Sequence, residues 1–328
     1  MASSDILLQV KDLKTHIAGR DGQRVVKAVD GVSFDLKRGE TLGIIGESGS
    51  GKSMTALSIM RILPSAAKVV SGEILFNGEN LLTKSEGEMR RLRGEKISMI
   101  LQDPMVSLDP LFTVGSQLAE PLRVHRGLGG TALKERMTEL MSSVSIPSPE
   151  LRLKQYPHQM SGGMLQRIVG AIAISCDPQL LIADEPTTAL DPTVQAQFLD
   201  LLESLRDAKH LSVIVVTHDF GVAARLCDRV MVMYAGRIVE MGPIREIFDQ
   251  PRHPYTKALL ASIPDATERG TRHLRSIEGA PPDLGALPPG CPFAPRCDSV
   301  TERCRREYPA QFQIAAGHVA NCWQVMGQ

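Results

Sequence analysis

The stretch Thr41-Leu42-Gly43-Ile44-Ile45-Gly46-Glu47-Ser48-Gly49-Ser50-Gly51-Lys52-Ser53 decides how the rest of the chain is read. Thr41 to Ile45 is an apolar run of strand length, and GESGSGKS fits G-x-x-x-x-G-K-[ST]. A helix follows from near Lys52 through Met60, with Ala56, Leu57, Ile59 and Met60 at its apolar positions. Glycines let the loop curl so that successive N–H groups point inward, and the helix N-terminus adds the positive end of its dipole. Such a cradle fits the phosphates of a nucleotide. Lys52 is placed to bridge the β- and γ-phosphates, and the Ser53 hydroxyl to ligate Mg²⁺. Gly46, Ser48, Gly49, Ser50, Gly51 and Met54 complete the candidate contacts.

Downstream, Leu180-Leu181-Ile182-Ala183-Asp184-Glu185 is a buried-strand pattern ending in two acids. Asp184 at the carboxyl end of a strand is suited to the Mg²⁺ shell, and Glu185 to orienting or deprotonating an attacking water. His218 ends another apolar strand, Val213 to Thr217, so it too is a candidate for the γ-phosphate. Together these features predict nucleotide binding and hydrolysis with Mg²⁺ as cofactor.

The organisation around these motifs is α/β. Ile6 to Val10 and Val32 to Leu36 alternate apolar and polar residues and end in turn chemistry at Asp21-Gly22 and Arg38-Gly39, which predicts edge strands. Gly72 to Gly78 reads as a hairpin strand and Ile97 to Leu101 as a buried one. From Val114 to about Ser175 the period is helical, with Pro121, Pro147, Pro149 and Pro157 expected to break it into short pieces. Strands Leu180–Ala183, Val213–Val216 and Val230–Met233 then alternate with helical segments Val194–Arg206 and Phe220–Leu226, the pattern of parallel βαβ units. The helical middle reads as a subdomain inserted into that core.

The chain has 328 residues, with 37 Lys plus Arg against 37 Asp plus Glu, and a nucleic-acid partner is not expected from so balanced a charge. No apolar run approaches the roughly 20 residues of a membrane helix. The start, MASSDILLQVKD, has no basic segment before an apolar block, so no signal peptide is read there. A cytoplasmic chain keeps its cysteines as thiols or metal ligands.

Ser161-Gly162-Gly163 precedes a helix-forming run from Met164 to Ile174, a second arrangement able to hold an anion. With it the order of motifs is complete: GESGSGKS, Gln102 in ILQDP, MSGGM, LLIADEP, Ala189-Leu190-Asp191 and His218. The chain resembles the ATP-binding cassette family of transport ATPases over residues 5 to about 250. The resemblance implies a P-loop NTPase cassette with an N-terminal antiparallel β subdomain, a parallel-sheet core and an inserted helical subdomain. It also implies head-to-tail pairing of two cassettes, with Ser161, Gly162 and Gly163 on the partner's ATP and Asp191 facing the partner. Gln102 would touch Mg²⁺ and relay nucleotide state to a membrane partner, and His218 would sense the γ-phosphate. The chain departs from the family pattern at three places. His16 and Ile17 stand where an adenine-stacking aromatic is common, Met54 stands where relatives carry Thr, and Met164 replaces Gln.

After about Pro251 the composition shifts, and ten of the 21 prolines fall in the last 78 residues. Residues 251–328 therefore read as a separate Pro- and Cys-rich extension with little regular structure. Its segment Arg252-His253-Pro254-Tyr255-Thr256-Lys257-Ala258-Leu259-Leu260 resembles the one that follows the cassette in the oligopeptide/dipeptide (and nickel) importer branch. That branch implies an ATP-hydrolysing subunit at the cytoplasmic face of the membrane. Its implied partners are a second, sibling cassette chain, two transmembrane permease subunits and an extracytoplasmic solute-binding protein. A soluble cassette ATPase of a non-transport assembly would share the motifs, and the importer-like tail separates the two.

Cys291, Cys297, Cys304 and Cys322 crowd the tail, without the C-x2-C pairs of zinc ribbons or the spacing of bacterial ferredoxins. Spacing alone leaves an iron–sulfur cluster, zinc and unligated thiols open. The peptide-importer resemblance implies a [4Fe–4S] cluster, with zinc as the alternative. Cys176 and Cys227 lie beside apolar helices and read as small core residues.

Overall fold

The computed structural model describes residues 5–19, 24–103, 107–188, 190–263 and 277–327. The expected turn at Asp21-Gly22 and Ala189 lie outside them. Along the chain the strands are β1 (Ile6–Ala18), β2 (Val25–Lys37), β3 (Thr41–Ile45), β4 (Ala67–Phe76), β5 (Glu79–Asn80), β6 (Ile97–Ile100), β7 (Leu180–Asp184), β8 (Ser212–Thr217), β9 (Arg229–Tyr234), β10 (Arg237–Pro243), β11 (Phe312–Ala315) and β12 (His318–Ala320). The fold is α/β, and the chain divides into two compact units. One gathers the described residues of Met1–Leu7, Leu36–Glu40 and Leu81–Val216; the other those of Leu8–Asp35, Thr41–Asn80 and Thr217–Gln328.

In the first unit β6, β7 and β8 are parallel neighbours, with Ile97 opposite Leu180 and Leu180 opposite Ser212. Every residue of β7 and β8 is buried. Strands covered on both faces read as continuous apolar runs rather than alternation, which is the pattern of LLIAD and SVIVVT. The inserted helices are Val114–Arg126, Gly130–Ser143, Pro149–Arg152 and Gly162–Ile174. Pro121 does not break the first of them, contrary to the sequence expectation. A helix-interior proline costs about 3 kcal/mol, and the buried stripe Val114, Leu118, Ala119 and Leu122 offsets it. Asp177 gathers Arg126, Arg136 and Lys209 from three helices of this unit.

In the second unit an antiparallel sheet runs in the order β2-β1-β4-β5. β2 is an edge strand as expected, but β1 is interior. The reason is the length of β1, whose alternation continues to Ala18 through an irregularity near Lys11 to Thr15 and pairs Leu8 with Phe76 and Ile17 with Ala67 along β4. β4 and β5 form the expected hairpin around Asn77, at φ 51°.

β3 pairs in parallel with β9, and β9 continues antiparallel into β10. The extension departs from its expectation here, because it supplies β12 and β11 to the same run of strands. Glu240 pairs with Ala320 and Met241 with Val319, so backbone groups of β10 that would otherwise form an open edge are hydrogen-bonded. Glu240 is fully buried and accepts from the Arg252 N–H at 2.7 Å, the His253 N–H at 2.9 Å and His318 Nε2 at 2.9 Å. A buried carboxylate is tolerable only with partners of this kind. Cys176 and Cys227 are buried, in agreement with their reading as core residues.

Candidate nucleotide site

The motifs read from the sequence fall on both units. The phosphate loop and His218 belong to one; Gln102, Asp184, Glu185, Ser161 to Gly163 and Asp191 belong to the other.

β3 ends at Ile45 and the helix Lys52–Met60 starts at Lys52, so the loop lies where the sequence predicts. Gly51 caps that helix at φ 104°, and a Cβ there would collide with the Ala28 carbonyl and meet Gly236 Cα at 3.3 Å. Only glycine suits the position. Lys52 is 4% exposed, and its ammonium donates to the carbonyls of Gly46 at 2.7 Å and Glu47 at 3.0 Å. Ser48 and Gly49 are exposed; Ser53 and Met54 are half-buried. Ser50 Oγ is buried without a hydrogen-bond partner among the described residues. An orphaned hydroxyl inside a glycine-built loop fits an anion that would accept from it. His16 and Ile17 lie in β1 opposite Lys68 and Ala67.

Asp184 closes β7 and is 5% exposed. Glu185 follows at φ 45°, its N–H bonded to the Val216 carbonyl at 2.8 Å. Its Oε2 accepts from Gln102 Nε2 at 3.1 Å and from Thr188 Oγ1 at 3.0 Å. Gln102 and Glu185 are thus brought together, and Thr188 joins them without having been singled out in the sequence. Its signal was its place three residues after Glu185, within reach of a turn.

Ser161 is the N-cap of the helix Gly162–Ile174, its Oγ accepting from the Met164 N–H at a long 3.4 Å. A Cβ on Gly163 would stand 2.6 Å from Val194 Cγ1, so close packing within the chain requires that glycine. A Cβ on Gly162 would meet nothing within 4 Å. Asp191 caps the helix Pro192–Lys209 by accepting from Thr193 and Val194, both at 3.0 Å. His218 is exposed directly after β8.

The environment of Glu47 is not legible in the sequence. Its carboxylate receives both arms of Arg296, Nη1 to Oε2 at 2.8 Å and Nη2 to Oε1 at 3.0 Å, and its N–H donates to Tyr255 Oη at 2.9 Å. The hydrogen bond to Glu47 is the main reason the guanidinium holds its proton more firmly than usual. No local pattern could have shown this pairing, because the partners are 249 residues apart.

Cys291, Cys297, Cys304 and Cys322 border one cavity of about 20 Å³, together with His253, Phe293, Pro309 and Trp323. Burial pushes the Cys291 thiol up to about 11, and the neighbouring thiols push in the same direction. Burial also raises Cys297 and Cys322. All four thiols line this cavity, and a cationic centre there would relieve the cost of ionising them. Among the described residues, however, no group of three or more His, Cys, Asp or Glu side chains is arranged to hold a metal ion. The [4Fe–4S] expectation therefore has the donor type in its favour but no metal-site geometry.

Comparison with known proteins bears on both ends of the chain. A family model described as ABC transporter matches residues 29–188, and one described as oligopeptide/dipeptide transporter, C-terminal region, matches residues 239–304. The dipeptide transport ATP-binding protein DppD of Bacillus subtilis is 51% identical over 318 residues, covering 97% of this chain and 94% of that protein. The chain belongs to the ABC transporter family. The oligopeptide transport ATP-binding protein OppD of the same organism is 48% identical to this cassette, over 97% of this chain and 88% of its own. Among solved structures, the dimeric ATP-binding cassette MJ0796 bound to ADP and Pi superimposes with a TM-score of 0.65 at 28% identity, covering 73% of this chain and 99% of that one. The cassette cbiO1 of Clostridium perfringens gives 0.64 at 29% identity, over 75% of this chain and 92% of its own. This chain is an ABC ATPase. No helix among its described residues is long and apolar enough to cross a membrane.

Proposed function

We propose that this cassette is the ATP-hydrolysing subunit of a membrane importer for dipeptides, oligopeptides or a related solute. The observation that carries the reading is the succession of two family matches in one chain, a cassette followed by the C-terminal region of oligopeptide/dipeptide transporters. In this reading residues 5–250 are the ATPase domain and 251–328 the importer-type extension.

The loop from Gly46 to Met54 holds the phosphates of ATP, with Lys52 moving from its two carbonyls onto the β- and γ-phosphates. Ser50 Oγ gains the acceptor it otherwise lacks. Ser53, Gln102 and Asp184 hold Mg²⁺, which supplies charge neutralisation at the phosphates when bound. Glu185 takes the proton of the attacking water while Gln102 and Thr188 fix its carboxylate. His218 contacts the γ-phosphate. Ser161, Gly162 and Gly163 face the ATP of a second, sibling cassette, which the open space at Gly162 supports. Asp191 lies toward that partner.

The cassette pair acts at the cytoplasmic face of the membrane beneath two permease subunits, with an extracytoplasmic protein delivering the solute. Within the same reading, Cys291, Cys297, Cys304 and Cys322 are the ligands of a [4Fe–4S] cluster, zinc being the alternative, and their convergence on one cavity is the support. Mild-detergent pull-down of the tagged chain from native membranes tests the assignment. Co-purification of two polytopic membrane proteins and a second cassette is expected. Recovery with cytosolic partners alone would transfer the function to a soluble ATPase.

A further inference from the structure

Glu47 is an odd residue to find in a loop that binds phosphate, because its carboxylate opposes the charge of the ligand. Both of its ends are held by the C-terminal extension. Tyr255 Oη accepts from its N–H at 2.9 Å, and Arg296 grips its carboxylate with a two-armed fork. The Arg296 side chain is 4% exposed. It is itself held by the carbonyls of Glu278 at 3.0 Å and Ile277 at 3.3 Å and by Tyr234 Oη at 3.3 Å. The Glu47 carbonyl in turn accepts from Lys52 Nζ at 3.0 Å. A guanidinium anchored by three further acceptors is therefore one residue away from the lysine of the phosphate loop.

We propose that Arg296 is a positioning residue for nucleotide binding, neutralising Glu47 and turning it so that the phosphate loop presents N–H groups and Lys52 without a competing anion. The proposal rests on the reading of this loop as the ATP site. Planar, two-armed pairing is what arginine does and lysine does not. Loss of the fork leaves a carboxylate uncompensated beside the phosphates and frees a glycine-rich segment to wander. The effect falls on ATP affinity, because Arg296 touches no reacting atom.

The test uses the full chain, with ATP affinity by equilibrium binding and steady-state KM and kcat for hydrolysis. Arg296→Gln is expected to weaken ATP binding about tenfold, equivalent to about 1.4 kcal/mol, and to raise KM correspondingly while kcat changes little. Adding Glu47→Gln to Arg296→Gln removes the unpaired charge and is expected to recover part of that affinity. Arg296→Lys, which keeps the charge without the fork, is expected to fall between wild type and Arg296→Gln; it carries the test if the glutamine variant does not fold. ATP affinity of Arg296→Gln within twofold of wild type overturns the proposal. So does a loss that Glu47→Gln leaves untouched, or a loss confined to kcat. Lys52→Ala serves as the separate check on the loop. Undiminished ATP affinity in that variant would remove the ATP-site reading itself, whatever Arg296 does.

Discussion

Gln102 and Glu185, 83 residues apart in the chain, meet through a hydrogen bond of 3.1 Å from Nε2 to Oε2. The same oxygen accepts from Thr188, and the Glu185 N–H is tied to Val216. Glu185 sits at φ 45°, a conformation that costs a non-glycine residue about 1 kcal/mol. Three hydrogen bonds hold it there, which aims a carboxylate that an extended backbone would direct elsewhere. Glu185→Gln is expected to keep ATP binding, lower turnover at least about 100-fold and accumulate a nucleotide-bound dimer. Phosphate release, ATP binding and size-exclusion chromatography check it, and wild-type turnover would remove Glu185 as the base.

A methyl group at position 51 tests the loop geometry. Gly51→Ala places Cβ against the Ala28 carbonyl at a φ that alanine avoids. A loss of about 2 kcal/mol or more in stability is expected, along with loss of ATP binding. Thermal melts with and without ATP report both, and a variant that ATP still stabilises as much as wild type would refute the expectation.

Acid should loosen the extension. Burial pulls His253 down from 6.5 to about 4, and its Nδ1 accepts from the Tyr255 N–H at 3.1 Å, which requires the neutral ring. The unfolded chain protonates His253 near pH 6.5 and the folded chain only near 4. The unfolded state therefore binds more protons between those values, and stability falls as pH drops through that window, by on the order of 3 kcal/mol. For Glu240, burial pushes the carboxyl up, but the hydrogen bonds from His318 and from the Arg252 and His253 N–H groups outweigh it and leave it below its ordinary value. Its contribution is likewise lost in acid. Chemical denaturation at pH 7.5, 6, 5 and 4 measures the fall, and His253→Asn, which retains an N-cap acceptor, should flatten it.

Cys304→Ser separates the readings of the four thiols. The variant is expected to lose bound iron and labile sulfide and to lower the stability of the extension. Metal and sulfide analysis of anaerobically purified protein checks this. Unchanged iron content, or zinc in its place, would retire the cluster.

Much of the candidate nucleotide site was legible because its chemistry is local. The strand β3, the loop and the helix after it occupy consecutive residues, so composition and period locate them. The same holds for β7 with Asp184 and Glu185, and for Ser161 at its helix start. Pro121 was misread because a helix interior can absorb a proline when enough apolar surface is buried around it, and that surface comes from other segments. β1 was misread as an edge because strand order is a matter of pairing partners, which alternation does not encode.

The sequence by itself determined the α/β class, the phosphate loop, the acids at the end of β7 and the resemblance to transport cassettes, since each rests on residue types at short spacing. Tertiary structure alone decided that the extension adds β12 to β10, that Glu240 buries its charge against His318, and that four scattered cysteines border one cavity. It also decided that Arg296 clasps Glu47. The second and the last of these contacts join residues 78 and 249 positions apart, and side chains so far separated meet only when the intervening chain has packed.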